Sequence, residues 1–203
     1  MTGHGHWMFP SIQFSLPQWV GKVLPPPTHR YKTDQEKMML AIELSRLNTE
    51  NRTGGPFGAA IFDIQSQRLV APGVNLVQTL CWSGAHAEMV AIAITQKLLD
   101  KLDLGSRIED QYELFSSTEP CAMCLGGITW SGVRRLVYGA RDEDARAIGF
   151  DEGIKAREWI HEFQLRGIDV MQDVYRDKAS RILQAYKRNG GLIYNGRMTM
   201  PAD

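Results

Sequence analysis

Cys121 and Cys124 stand three residues apart, behind Pro120 and ahead of Gly126 and Gly127, and the chain has only one other cysteine, Cys81. A Cys-x-x-Cys pair at the opening of a helix can point both sulfurs at one ion, so whatever surrounds it must fold to bring a third ligand there. Thirty-five residues upstream of Cys121 stands His86, in "HAE", at the start of the alanine- and leucine-rich run "HAEMVAIAITQKLLDKL". Both groups fall where a strand or loop hands over to a helix. Free N–H groups and the positive end of the helix dipole favour thiolate over thiol at such a place. Three readings compete: a redox pair, which leaves "HAE" unexplained; a closed structural zinc site, for which Cys81 is the one spare thiol; and a three-ligand catalytic zinc that keeps water in its fourth position. In the third reading Cys81 is a small apolar side chain buried in the core.

Glu88 favours the catalytic reading. Two positions beyond His86 it does not share the metal, yet its carboxylate can lie beside the water in the fourth position and act as general base, because zinc lowers the pKa of such a water towards about 7. His29 and His161 are expected in surface or packing roles.

The rest of the chain sets the scaffold. At 203 residues it suits one domain with appendages. Residues 1 to 33 hold Pro10, Pro17 and Pro25 to Pro27, which block regular helix and favour an extended arm. Its Trp7, Phe9, Ile12, Phe14 and Trp19 would pack on the domain or on a second subunit, and His4 and His6 would form a solvated leader. From Asp34, the expected N-cap, Met38, Met39, Ile42 and Leu44 recur at helical spacing until "NRTGG". "FGAAIFDI" and "RLVAPGVNLV" around "QSQ" read as a β-hairpin. Strands follow at "YELFSS", "RRLVYGA" and "IDVMQDV", with helices at "CAMCLGGITWSG" and "YRDKASRILQAYKR" and a short acidic helix or loop at "DEDARAIGF". A hairpin followed by alternating helices and strands implies an α/β fold with a mixed sheet and helices on both faces.

Lysine plus arginine number 23, as do aspartate plus glutamate, so no net field gathers a polyanion and nucleic acid is not the expected partner. The longest apolar run, "MVAIAI", is far too short to cross a bilayer. The expected setting is the cytoplasm, where thiols stay reduced.

His-x-Glu followed by Pro-Cys-x-x-Cys is the pattern of zinc nucleobase deaminases. Together with "GGPFGA" at 54 to 59, Asn75 ahead of "AHAE", "EPCAMCLGGITW" at 119 to 130, "LVYGA" at 136 to 140 and "GFDEG" at 149 to 153, it makes the chain resemble the cytidine deaminase superfamily. More narrowly, residues 34 to 173 resemble the bacterial guanine deaminases of that fold. The resemblance implies a three-layer α/β/α sandwich on a mixed five-stranded sheet, one Zn2+ per subunit and a homodimer. It implies that His86, Cys121 and Cys124 hold the zinc and that Glu88 shuttles protons. Phe57, Asn75, Ala87 and Trp130 would bind the substrate, Phe57 against the flat base, Asn75 at its edge and Trp130 as a wall. Glu152 stands where the family shows an aspartate that binds the ring and shares proton transfer, with Asp151 the neighbouring alternative. The family exchanges its C-terminal segment between subunits; here Tyr186 or Tyr194 would serve as lid, with the arm sharing the cover. The substrate class implied is a free nucleobase, with guanine going to xanthine and ammonia. The rivals are a tRNA adenosine deaminase, a deaminase of a pyrimidine or a guanine-like aminotriazine, and a non-enzymatic zinc-stabilised module.

Overall fold

The computed structural model describes residues 8–196, so the readings made for His4, His6 and Trp7 lie outside the described residues. Five strands form one mixed sheet in the order β2-β1-β3-β4-β5. The hairpin β1 (Gly58–Asp63) and β2 (Arg68–Val74) is antiparallel. β1 also pairs antiparallel with β3 (Tyr112–Thr118). β3, β4 (Arg135–Ala140) and β5 (Asp169–Met171) are parallel neighbours. β2 carries Pro72, which has no N–H to give a second neighbour and is tolerated because β2 is an edge strand.

Alternation along the strands divides the core in two. Ala59, Ile61, Leu114, Leu136 and Tyr138 face a cluster shared with Ala91 and Ile92 of α4 (Ala87–Leu99), Leu125 and Ile128 of α5 (Ala122–Ser131) and Phe163 of α7 (Trp159–Leu165). Ala60, Phe62, Phe115 and Val137 face the opposite way, towards Met38, Ala41 and Ile42 of α2 (Asp34–Glu50), Ala145 and Ile148 of α6 (Asp142–Ile148) and Ala179 and Leu183 of α8 (Arg176–Arg188). The outcome is the three-layer sandwich that the order of elements implied.

Three local readings are corrected. The N-cap of α2 is Thr33, not Asp34: the Thr33 hydroxyl accepts from Glu36 N at 3.2 Å and the Glu36 carboxylate accepts from Thr33 N at 3.3 Å, a reciprocal capping box. The arm is not wholly extended, since α1 (Gln18–Val23) forms between its prolines. Pro17 precedes the helix, where a missing N–H costs nothing, and Pro25 follows its end. Neither α7 nor the single turn α3 (Val77–Leu80) was expected. The arm packs on its own chain: Phe14, Leu16, Trp19 and Leu24 cover a third cluster built from Val20, Leu44, Val74, Leu76, Ala85 and Val90. Among the described residues no helix is long and apolar enough to cross a membrane.

Candidate metal and catalytic site

His86 is the N-cap of α4 and Cys121 the N-cap of α5, and neither helix start is closed by a side-chain cap. The positive ends of both dipoles therefore meet at the ligand cluster, although the first N–H of α5, on Ala122, is given to Glu152 O. The sulfurs of Cys121 and Cys124 lie 3.4 and 3.5 Å from His86 Nδ1. All three ligand atoms fall within 4.8 Å of one another, and no other such cluster occurs among the described residues. Tetrahedral zinc with bonds of about 2.3 Å to sulfur and 2.0 to 2.1 Å to nitrogen holds those two atom types roughly 3.6 Å apart. The donors stand where the ion requires them.

The electrostatics agree. A hydrogen bond from the Cys124 thiol, reinforced by His86, pulls Cys121 down to about 4 against the opposing effect of burial. Burial disfavours the charged form of His86, yet the hydrogen bond to Cys121 and the charge of Glu88 leave its pKa above the ordinary value. Cys81 takes no part: it is exposed, sits in left-handed backbone at the end of α3 and is absent from the cluster. That corrects the expectation of a buried Cys81 and removes the candidate fourth ligand of a closed site.

Glu88 is 6% exposed on the first turn of α4. Burial, and then the Cys121 sulfur, raise its pKa. Ser116 of β3 offers its hydroxyl to Oε1 at 3.5 Å. Across a cavity of about 200 Å3, whose lining includes Phe57, His86, Glu88, Cys121, Phe150, Asp151, Glu152 and Tyr194, Glu152 is likewise 6% exposed. Burial pushes its carboxyl up to about 8; the Cys121 sulfur adds to the shift and Lys155 opposes it. The longer side chain thus still reaches the site.

The loop that carries Glu152 is tied down on several sides. Glu152 O accepts from Ala122 N at 3.0 Å. Arg146 Nη2 donates to Gly153 O at 2.8 Å. The Lys155 ammonium joins Glu119 at 2.9 Å and Asp142 at 2.7 Å. Asp151 lines the cavity, but its Oδ1 accepts from Gly153 N at 2.9 Å, a loop-shaping bond.

Phe57 stands edge-on to Phe150, with centroids 5.0 Å apart. Tyr194 packs edge-on to the same Phe150 at 5.6 Å. Asn75, 1% exposed, meets the cavity wall through Tyr194, whose hydroxyl accepts from Asn75 Nδ2 at 2.6 Å. Of the two tyrosines, Tyr194 borders this cavity and Tyr186 does not; the Tyr186 hydroxyl donates to Leu192 O at 2.8 Å. Ala87 is wholly buried and Trp130 is 84% exposed. Trp130 borders a different concavity with Leu102, Asp103 and Arg134, so it is not a wall of this cavity within one chain. Phe150, Glu119 and Ser83 line the site without having been singled out. For Phe150 and Glu119 the signal lay in the quoted "GFDEG" and "EPC"; Ser83 carried none. A larger cleft of about 530 Å3 between α2 and α8, bordered by Arg46, Arg52 and Tyr186, contains no comparable cluster.

A His-Cys-Cys cradle at two helix starts, with a buried carboxylate beside it, is the arrangement of a zinc deaminase, and the zinc-binding region of cytidine and deoxycytidylate deaminases matches residues 31–140. The chain belongs to that family. Over 105 residues it is 39% identical to the guanine deaminase of Bacillus subtilis, covering 52% of this chain and 63% of that protein. Over 93 residues it is 31% identical to a tRNA-specific adenosine deaminase of Rickettsia bellii, covering 46% of this chain and 61% of that one. The matched segments thus span less than two thirds of these curated relatives. In three dimensions the chain is similar to the guanine deaminase from Nitrosomonas europaea, with a TM-score of 0.83 and 38% identity over 91% of this chain and 100% of that chain.

Proposed function

We propose that this protein catalyses hydrolytic deamination of a free nucleobase, guanine to xanthine and ammonia, in a reducing cytoplasm. The observation that carries the reading is the pair of buried carboxylates, Glu88 and Glu152, facing one small cavity beside the His86, Cys121 and Cys124 donors. A zinc ion held by those donors supplies a Lewis acid that makes a water nucleophilic near neutral pH.

Glu88 takes a proton from the attacking water as its oxygen bonds to the ring carbon bearing the exocyclic amine, and the adjacent ring nitrogen receives that proton. The new hydroxyl then gives up its proton, which a carboxylate passes to the amine; the carbon–nitrogen bond breaks, the carbonyl forms and ammonia leaves. Burial favours the protonated form of both carboxyls, so each can hold a proton for a ring nitrogen or a departing amine. The N–H groups at the start of α4 offer further donors to the developing oxyanion. Phe57 packs against the ring. Asn75 reads the base edge with its second amide hydrogen, the first being given to Tyr194.

Charge, not size, weighs against the tRNA adenosine deaminase alternative: a cavity of about 200 Å3 suits one base, free or flipped out of a strand, whereas the balanced charge gathers no polyanion. A homodimer fits the exposed apolar face formed by Met123 and Trp130 of α5 with Leu102 and Ile154, which are 42%, 84%, 91% and 98% exposed.

Ammonia release from guanine, adenine, cytosine, cytidine, aminotriazines and a tRNA anticodon stem-loop tests the reading. Guanine should be the substrate, with turnover abolished by a chelator. Turnover of the stem-loop with guanine inert would overturn it.

A further inference from the structure

Resting on that reading of Asn75, we infer that the N-terminal arm is a positioning part of the base-recognition site: Trp19 locks Asn75 in place through a hydrogen-bond relay formed by half-buried Thr53 and buried Asn48. The relay is continuous. Trp19 Nε1 donates to Thr53 Oγ1 at 3.1 Å, and Thr53 Oγ1 donates to Asn48 Oδ1 at 2.7 Å. Asn48 Nδ2 then donates both to Asn75 O and to Gly55 O, each at 2.9 Å. Gly55 N returns to Asn75 Oδ1 at 3.3 Å. Asn75 N donates to Phe57 O at 3.1 Å, which carries the relay to the ring expected to pack on the base.

The directions of these bonds follow from chemistry. Gly55 O and Asn75 O are carbonyls that only accept, so the Asn48 amide must turn its N–H bonds to them and its oxygen to Thr53. An indole N–H only donates, so Thr53 Oγ1 accepts from Trp19 and turns its one hydrogen to Asn48, nearer Oδ1 at 2.7 Å than the backbone oxygen at 3.3 Å. Asn48 is 0% exposed, and a buried amide that loses a partner exerts the full cost of desolvation on whatever it holds. The fit leaves no slack: a Cβ on Gly54 would come within 1.8 Å of Asn75 O. The arm is held over this point by its own packing, with Val20 1% exposed among Leu44, Val74 and Leu76. Thr79 Oγ1 donates to Thr53 O at 2.5 Å, tying the relay to the turn after Asn75.

Two substitutions cut the relay: Thr53→Val deletes the hydroxyl and with it both the bond from Trp19 and the bond to Asn48, whereas Trp19→Phe deletes the indole N–H and part of the ring. In Thr53→Val the KM for guanine should rise about tenfold, the equivalent of one disturbed buried hydrogen bond, while kcat stays within about threefold. Trp19→Phe should shift KM the same way by less, and Thr53→Ser should restore it. In an Asn75→Ala background, Thr53→Val should have no further effect on KM. Side-chain amide resonances of Asn48 and Asn75 in a 1H–15N spectrum, recorded without substrate, should move in both variants. Unmoved resonances would overturn the inference whether or not guanine is the substrate. So would unchanged KM in Thr53→Val, provided the parent turns over guanine. If the resonances move but guanine is inert with the parent, the relay stands and the substrate reading falls.

Discussion

Glu88 is a carboxylate that the fold keeps almost dry and places beside two cysteine sulfurs, an arrangement that raises its pKa. Apolar packing does not reward that placement, because taking an ionised carboxylate out of water is costly. A proton-transfer task accounts for it. Glu88→Gln keeps the shape and one hydrogen-bonding oxygen but cannot take a proton. Ammonia release should fall by at least about a thousandfold, given the size of general acid–base effects, while zinc content and circular dichroism stay those of the parent. A variant retaining a tenth of the parental turnover would remove Glu88 from the reaction. At this scale the site was readable where spacing does the work. Two cysteines three apart and a histidine two before a glutamate announce a metal and a base from local order alone. The substrate wall was less readable, since Phe57, Phe150 and Tyr194 meet only after the chain has folded, and nothing local marks an aromatic residue as wall or core. The same blindness misplaced Trp130 and Cys81, whose exposures are set by neighbours far along the sequence.

At the scale of elements, α2 is locked to the sheet at the end opposite the catalytic cavity. Arg135 of β4 grips Asp34 with two parallel bonds of 2.8 and 2.7 Å and Glu113 of β3 with one of 2.9 Å. Glu113 also holds the Lys37 ammonium at 2.5 Å. The Arg135 hydrogen bond holds Asp34 below the ordinary aspartate range. A depressed carboxyl stabilises the fold above its unfolded pKa and loses that contribution as pH falls through the lowered value. Asp34→Asn should therefore cost about 1 kcal/mol at pH 7, after allowing for solvent screening. In urea titrations the gap between parent and variant should close as pH drops below the aspartate range; a gap independent of pH would mean that the pair contributes no charge interaction.

Most elements were legible because apolar runs and helical spacing agree with the turns between them. Strand β3, for example, is buried along its whole length and reads "YELFSST". Two misses have opposite causes. Prolines hid α1, which fits between them, and the short α7 carries only one fully buried residue, Phe163, too little for a periodic signal.

For the whole molecule, the unpaired feature is the outer face of α5. Trp130→Glu sets a carboxylate where an apolar partner surface is expected, on a side chain already open to solvent, so the thermal midpoint of the isolated chain should barely change. Light scattering should show the parent as a dimer and the variant as a monomer. Equal masses for the two would place any interface elsewhere.

The two sides of the sheet supply different halves of the cavity. His86, Glu88, Cys121 and Cys124 come from α4 and α5 on one side, whereas Phe150 and Tyr194 belong to the cluster on the other. Sequence change on the second side can therefore re-tailor which heterocycle is accepted while the water-splitting apparatus is inherited intact.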